Sequence, residues 1–304
     1  MKVVKPTLIT AAMLVSTDAV ETYTAWNAAT AYVVDDIVLR TATQRLYQRL
    51  IAGTTATAPE SDTVNWMDIG PSNKWAMLDR ETSTSTTATT SMTVVLKPGY
   101  VNSIGLFGLV GTTLEITVRD ALAGNIVYGN DTLTGPLVIT LDGTVISDWY
   151  QYYFEPFLQL SEVARLDLPP YGDAHITVKI SGTGTVACSI LDVGTFYDLG
   201  GTEYGAGISI VDYSRKETDT FGTSTFVRRG FARRLNARMM FDNAQLNKIT
   251  SILAALRSTP CTWVGTDVEN YEALSVFGFF EDMDVDVAYP TKSYCTVNVQ
   301  GLVE

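Results

Sequence analysis

The sequence has few of the residues on which enzymes and metal proteins most often depend. In 304 residues it has one histidine, His175, and three cysteines, Cys188, Cys261 and Cys295. The cysteines are odd in number and form no C-x-x-C pair, which excludes a zinc ribbon and favours small core residues in a reduced, cytosolic product. His175 stands in an alternating strand pattern, which favours a structural or surface role.

Basic residues are also scarce. Lys and Arg number 21 against 33 Asp and Glu, so the formal net charge is −12. Binding to phosphate needs a basic face, so we expect no direct nucleic-acid binding for the whole molecule.

No apolar run reaches the ~20 residues of a membrane span, so we expect no membrane insertion. The run at residues 8–15 follows Lys2 and Lys5 and faintly imitates a signal peptide, but Pro6 and Thr10 interrupt the region. This favours an extended N-terminal arm or strand over residues 1–21.

Catalytic motifs are missing as well, since no G-x-S-x-G, H-E-x-x-H or P-loop string occurs. The acids at 281–286 could be imagined as glycosidase carboxylates or calcium ligands, but one run cannot place two carboxyls across a substrate. Asp282, Asp284 and Asp286 alternate with Met283 and Val285, as in a strand with one acidic face. The sequence therefore predicts no enzyme, no metal site and no cofactor.

Short alternating segments dominate residues 80–200 and predict many antiparallel strands. Residues 114–118 and 175–180 are examples, and turn strings rich in Gly, Pro and Asn separate them. A two-sheet sandwich or jelly roll is the economical solution.

The C-terminal part predicts a long strand, one helix and further strands. Leu246, Ile249 and Leu253 recur at helical spacing within residues 243–257, with Asp242 as the expected N-cap. Strands are expected at 226–241 before the helix and at 261–264, 274–280, 283–287 and 294–299 after it. We interpret this part as an α+β module.

Arginines are concentrated in the strand predicted before the helix. With a period of two, Arg228, Arg234 and Arg238 share one face, opposite Leu235 and Met239. Their expected partners are the acids Asp282, Asp284 and Asp286. A charge ladder within one subunit, a contact between subunits and DNA passing through a ring all remain open.

Aromatic residues recur at regular gaps in residues 22–70, at Trp26, Tyr32, Tyr47 and Trp66. With Asp36 and Val38, they resemble the pattern W-x5-Y-x2-G-D-x-V, tyrosine strand and late tryptophan of the small carbohydrate-binding modules of chitinases and cellulases (families five and twelve). Asp35 replaces the glycine, and Gln48 and Arg49 replace the exposed aromatic pair. The resemblance implies a three-stranded module whose aromatic rings form a core or, alternatively, bind saccharide.

The next segment, residues 70–79, reads G-P-S-N-K-W-A-M-L-D. It resembles a string that recurs in tail and baseplate-associated proteins of tailed bacteriophages, where it follows the small aromatic module and opens a jelly-roll-like domain. The C-terminal module resembles the tube-like fold of tail-tube and distal-tail proteins, in which long strands from each subunit join neighbours in a ring.

These resemblances imply a mainly β structural protein of the bacteriophage virion tail, as part of the tail tube, the distal tail or the baseplate. It would be made in the host cytoplasm and assemble as a homo-oligomer with other tail proteins. The expected parts are an N-terminal arm (1–21), a carbohydrate-binding-module-like domain (22–70), a β-sandwich (71–200) and an α+β oligomerisation module (201–304). The alternative is an adhesin-like tail protein that binds host surface glycans through solvent-facing rings.

Overall fold

The computed structural model describes residues 1–142, 149–154, 159–218, 220–266, 268 and 271–303. Within them the chain is mainly β, with curled antiparallel sheets in a sandwich-like arrangement, as predicted. Two strands open the chain, β1 (Lys2–Pro6) and β2 (Leu14–Thr17). The N-terminal residues therefore adopt the extended structure expected of them.

The first module is a three-stranded sheet, as its aromatic pattern predicts. Its strands are β3 (Ile37–Arg40), β4 (Arg45–Arg49) and β5 (Trp66–Pro71), in the order β3-β4-β5. A 3₁₀ turn at Pro59–Ser61 lies between β4 and β5.

The middle of the chain supplies most of a six-stranded sheet with the order β10-β8-β12-β6-β2, with β9 pairing to β8. The elements from here to the end of the sandwich segment are a 3₁₀ turn at Ala76–Leu78, β6 (Thr86–Leu96), β7 (Ser103–Phe107), β8 (Thr113–Arg119), β9 (Ile126–Tyr128), β10 (Leu137–Thr140), α1 (Trp149–Phe154), β11 (Glu162–Arg165), β12 (His175–Cys188) and β13 (Ile190–Asp198). Leucine, isoleucine and valine from the inward faces of β6, β8 and β12 form the core.

The C-terminal elements complete a ten-stranded sheet with the order β11-β7-β13-β1-β19-β20-β21-β18-β14, with β15 also pairing to β18. They are β14 (Gly201–Thr202), β15 (Gly207–Asp212), β16 (Arg215–Thr218), β17 (Ser224–Val227), β18 (Phe231–Asp242), a 3₁₀ turn at Asn243–Gln245, α2 (Leu246–Ala255), β19 (Cys261–Val264), a 3₁₀ turn at Glu272–Leu274, β20 (Ser275–Asp286) and β21 (Lys292–Gly301). Strands β16 and β17 form a separate two-stranded sheet.

Strand β1 lies in the middle of the ten-stranded sheet and joins its two parts. It pairs with β13 along its whole length, from Lys2 opposite Asp198 to Pro6 opposite Gly194. On its other edge Lys2 and Val3 pair with β19. Backbone hydrogen bonds therefore link strands from residues 71–200 to strands from 201–304, across one of the predicted boundaries.

The ten-stranded sheet curls until strands from its two parts face each other. Thr262 of β19 donates a hydrogen bond of 2.7 Å from its Oγ1 to the buried Asp192 of β13. A Cβ on Gly105 of β7 would lie 2.6 Å from the same Oγ1, so only glycine allows this approach. Arg233 of β18 forms an ion pair with the buried Glu162 of β11. These two strands lie near opposite ends of the strand order, so the pair bridges the two parts of the sheet.

The predicted helix is confirmed, and Asp242 occupies the N-cap position of the 3₁₀ turn that leads into it, but the Asp242 side chain does not cap the turn. The apolar face of α2 buries Ile249 and Leu253 in the second core, against the inward side chains of β18 and β21. Asp242 makes no capping hydrogen bond, because it ends β18 and its carboxylate pairs with Lys292 Nζ at 2.7 Å. The single strand predicted over 226–241 is also interrupted at 228–230, between β17 and β18.

The three cysteines lie in the core, as predicted, and the single histidine is buried as well. Cys188, Cys261 and Cys295 are free and buried, and burial raises the thiol pKa of Cys188 to about 12. His175 is a buried strand residue whose Nδ1 lies 3.0 Å from the carbonyl oxygen of Asp173.

Candidate interaction surfaces

The aromatic residues of the first module form its core. Tyr32, Tyr47 and Trp66 are buried, and the Tyr32 and Trp66 rings meet edge to face at 5.2 Å. Trp26 packs against this cluster, and the guanidinium of Arg40 lies 5.1 Å from its ring centroid. Sugar binding needs a solvent-facing ring, so this geometry favours the core role expected for the four residues over the alternative of saccharide binding.

Arg49 is one of the two residues at which the module departs from the carbohydrate-binding modules that it resembles, and it is buried. Its side chain is 1% exposed and its guanidinium carbon lies 4.8 Å from the centroid of Trp66. Its Nη atoms donate to Thr55 Oγ1 and to the Gly53 carbonyl. A buried cation on the indole thus replaces an aromatic residue that would face solvent, and no local sequence signal distinguishes the two.

The G-P-S-N-K-W string forms a clamp that ties residues 20–21, at the end of the N-terminal arm, to the start of β6. Ser72 donates a 2.7 Å hydrogen bond from its Oγ to the Glu21 carboxylate, which also accepts the backbone N–H of Lys74. Asn73 Nδ2 donates to the carbonyls of Val20 (3.0 Å) and Thr87 (2.9 Å), and Asn73 Oδ1 accepts the Thr87 N–H. The motif has a structural role here, since it fixes where the chain enters β6.

The predicted arginine and aspartate residues are placed only partly as expected. Arg234 and Arg238 of β18 lie on the same sheet face as Asp282, Asp284 and Asp286 of β20, but β21 runs between the two strands. Two strand spacings separate them by roughly 9–10 Å, so the predicted contact does not form within the chain.

Two glutamates, and not the predicted aspartates, pair with these arginines. Arg234 Nη2 lies 3.3 Å from Glu281 Oε1, and Arg238 Nε lies 3.5 Å from Glu203 Oε2. Arg238 also covers the ring of Tyr294 at 4.3 Å. Asp282 accepts a 2.6 Å hydrogen bond from Asn298, whereas Asp284 and Asp286 lie exposed on the outer face.

Arg228 lies in the link between β17 and β18, so it shares no strand face with Arg234 and Arg238. The expectation that the three form one row is wrong, because the strand breaks before Phe231. A role for any of these residues between subunits stays a prediction.

Exposed apolar side chains also belong to the hairpin of β16 and β17, which we call the arm (described residues 213–218 and 220–229). Every residue of its two strands is exposed. Phe221 is 92% exposed and Phe226 is 72% exposed, whereas large apolar side chains normally gain 1.5–3 kcal/mol by burial. Two strands alone cannot bury such rings. The strand predicted over 226–241 overlaps only the end of the arm, so the hairpin was not predicted.

The arm is well formed despite its exposure. Its base is held by hydrogen bonds from the Ser214 N–H to Asp212 Oδ1 (2.8 Å) and from the Arg229 N–H to Ser214 Oγ (3.1 Å). Along it, Arg215 and Glu217 form a 3.0 Å ion pair. The bond from Ser214 lowers the pKa of the Asp212 carboxyl.

Strand β15, from which the arm extends, has one edge that pairs with none of the described strands. It pairs with β18 from Gly207 to Asp212 and with no other described strand. Ile208 and Ile210 are exposed on it, and its one charged residue is Asp212 at the end. Natural edge strands usually carry charges or proline that prevent further pairing, and β15 has neither in its centre.

A second exposed aromatic group lies on the short helix α1. Trp149, Tyr150, Tyr153 and Phe154 are all more than 60% exposed. The rings of Trp149 and Tyr153 are nearly parallel, with 21° between their planes and 6.2 Å between centroids.

Chemistry-bearing clusters are sparse in the part of the chain that the structure describes. No group of three or more His, Cys, Asp or Glu residues there could hold a metal ion. None of the described helices has the length and apolar character needed to cross a membrane.

Comparison with other proteins adds no identification. The chain matches no model of a known protein family, and a search of curated proteins finds no match.

Proposed function

We propose that this chain is a structural component of a bacteriophage tail and that it assembles with further copies of itself through β15 and the arm. The observation that supports the proposal most is the arm itself, a formed hairpin with two phenylalanines in solvent beside an unprotected edge strand. Exposed apolar groups of this kind mark protein–protein contacts. The resemblance of residues 70–79 to phage tail proteins supplies the virion context.

An open strand edge offers a defined way to join copies. Addition of a strand from a neighbour would satisfy the unpaired N–H and C=O groups of β15 and bury Ile208 and Ile210. The β-rich frame behind it is held by two large cores, so the edge is presented by a rigid support. Repeated pairing of this kind gives rings or tubes.

A charge on the edge strand tests the proposal. Ile210→Lys should weaken self-association by roughly tenfold or more, measured by sedimentation velocity or native mass spectrometry, because a buried edge cannot accommodate an unpaired cation. Val138→Lys is the matched control, since Val138 is likewise exposed in β10, the edge strand of the six-stranded sheet. A wild-type chain that is monomeric at high concentration and absent from virions would refute the proposal.

The exposed rings of α1 favour a second candidate, a tail protein that contacts host glycans. Near-parallel, solvent-facing rings are a suitable platform for a sugar face. Replacing Trp149 and Tyr153 by alanine should abolish binding on a glycan array, while Tyr100→Ala, an exposed tyrosine elsewhere in the sandwich, should not. A wild-type chain that binds no glycan would remove this candidate.

A further inference from the structure

We propose that a groove between α2 and β1 of one copy receives Val287 of a second copy. Two aspartates of the same hairpin in that second copy would then face two lysines at the rim of the groove. This adds to the proposed function a contact that includes neither β15 nor the arm. The groove has a volume of about 170 Å³, and its lining residues are Lys5, Tyr197, Ser251, Ile252, Ala255 and Leu256.

The groove arises because one face of α2 carries small side chains. Ser251 and Ala255 are four residues apart, so they lie on the same face of the helix, and both are short. Opposite them, Tyr197 of β13 pairs with Val3 of β1 and packs against the second core. Side chains alternate along a strand, so Lys5 projects on the same face as the buried Val3 and stands at the rim. Helix and sheet therefore form two fixed walls.

The size of the groove indicates the kind of occupant. Pockets that enclose small-molecule ligands usually have volumes of roughly 300–1,000 Å³, and the groove is smaller than that. Ile252 and Leu256 supply an apolar lining on the helix side. A volume of about 170 Å³ with this lining suits one aliphatic side chain that another protein surface presents.

The rim of the groove is positively charged. Lys5 belongs to the lining, and Lys248 lies one helical turn before Ser251 and Ile252, on the same face of α2. Both lysines are exposed, and neither forms an ion pair with a residue that the structure describes. The described lining contains no carboxylate. A cationic rim on a chain of net charge −12 favours an acidic surface as the partner.

The end of the β20–β21 hairpin is such a surface. Val287 directly follows β20 and is 62% exposed, so it does not occupy the groove of its own chain. Asp284 and Asp286 are exposed close to it in the sequence and form no ion pair with described residues. Asn243 Nδ2 holds the loop that follows, by a 2.9 Å hydrogen bond to the Tyr289 carbonyl. An ordered hairpin thus presents an aliphatic side chain beside two carboxylates.

The contact joins two different surfaces, so it is head to tail and repeats from copy to copy. One aliphatic side chain and two exposed ion pairs stabilise a contact only weakly. We therefore expect it between copies that pairing along β15 already holds at a high local concentration. In this respect the inference rests on the proposed function.

Cysteine cross-linking tests the contact. Full-length Val287→Cys is mixed with full-length Ala255→Cys under mild oxidation, and mass spectrometry quantifies the disulfide-linked peptide that contains both positions. The native cysteines are buried and should not interfere. The control mixture pairs Ala255→Cys with Tyr100→Cys, an exposed position in the sandwich. The yield should be roughly tenfold or more above that of the control, because assembly raises the local concentration of the two positions.

Charge reversal separates the proposed contact from chance collisions. Adding Lys5→Glu and Lys248→Glu to the Ala255→Cys chain should lower the yield roughly tenfold, because like charges then face each other. Adding Asp284→Lys and Asp286→Lys to the Val287→Cys chain as well should recover part of the loss. Circular dichroism of each chain checks that the exposed substitutions leave the fold intact.

Two outcomes would overturn the inference and leave the proposed function intact. One is equal cross-linking in the two mixtures while sedimentation still shows oligomers, which would leave the groove to an acidic segment of a different protein. The other is a yield that the lysine reversals do not change. A wild-type chain without any oligomers would refute both the inference and the proposed function.

Discussion

The first module and the arm are both small β elements rich in aromatic residues, yet they place those residues in opposite environments. The module buries Tyr32, Tyr47 and Trp66 between its strands and loops, whereas the arm leaves Phe221 and Phe226 in solvent. A third strand and long loops provide a second wall for a core, and a two-stranded hairpin has none. Aromatic content alone therefore does not distinguish a core from an interface.

Removing a ring from the module should have the largest effect on stability. Trp66→Ala should lower the free energy of unfolding of the module by about 3–5 kcal/mol, because it leaves a cavity and removes the ring that the Arg49 guanidinium packs on. Urea unfolding followed by Tyr and Trp fluorescence measures the change. Met67→Ala, at the exposed neighbouring position, should cost less than about 0.5 kcal/mol. Equal losses in the two variants would contradict a buried aromatic core.

The buried acid between the two parts of the ten-stranded sheet should give a pH dependence that no exposed acid gives. Burial raises the pKa of Asp192 to about 6, from an ordinary 3.8. Because the folded-state pKa is raised, the protonated form favours folding, and its contribution is present below pH ~4 and lost as the pH rises through about 6.

Asp192→Asn should accordingly raise the unfolding free energy at pH 8 by about 1–3 kcal/mol and change it little at pH 4. Unfolding curves at the two pH values measure this, and Asp284→Asn, on the exposed face of β20, serves as the control. A wild-type chain that becomes more stable between pH 4 and 8 in step with the variant would contradict the assignment.

Breaking the clamp at residues 72–73 should lower the unfolding free energy by less than the loss of the Trp66 ring. Asn73→Ala removes four hydrogen bonds, one of them long at 3.4 Å, and should cost about 2 kcal/mol, at roughly 0.5–1.5 kcal/mol for each good bond. Thermal unfolding measures the loss, and Asn27→Ala in the first module, whose side chain accepts one exposed hydrogen bond, is the comparison. A loss no larger than that of Asn27→Ala would show that the motif does not hold the N-terminal arm to β6.

The smallest stability effect is expected in the arm. Phe226→Ser should change the unfolding free energy by less than about 0.5 kcal/mol, because its ring is already in solvent, although it should reduce self-association. Comparing chemical unfolding of the monomer with sedimentation separates the two quantities. A large loss of monomer stability would mean that the arm packs on its own chain.

Local patterns predicted local structure. The helical spacing of Ile249 and Leu253 identified α2, and the alternation in β18 identified Leu235 and Met239 as the inward face. The aromatic spacing of the first module indicated its three strands.

Pairings between distant residues could not be predicted in this way. Strand β1 pairs with β13, nearly two hundred residues away, and nothing in the five residues of β1 specifies that partner. Gly230 was an available sign of the break before Phe231, whereas the burial of Arg49 depends on neighbours in space, so its sequence surroundings carry no sign of it. The proposed interface was missed for the same reason, since exposure is a property of the whole fold.

Deletion of the arm tests the central claim most directly. Asp212 and Phe231 are opposite each other in the β15–β18 pair, so an Asn-Gly turn can replace residues 213–230 and keep that hairpin closed. Sedimentation velocity of the intact and shortened chains at equal concentrations should show defined oligomers for the intact chain and monomers for the shortened one. Identical oligomer distributions would contradict assembly through the arm.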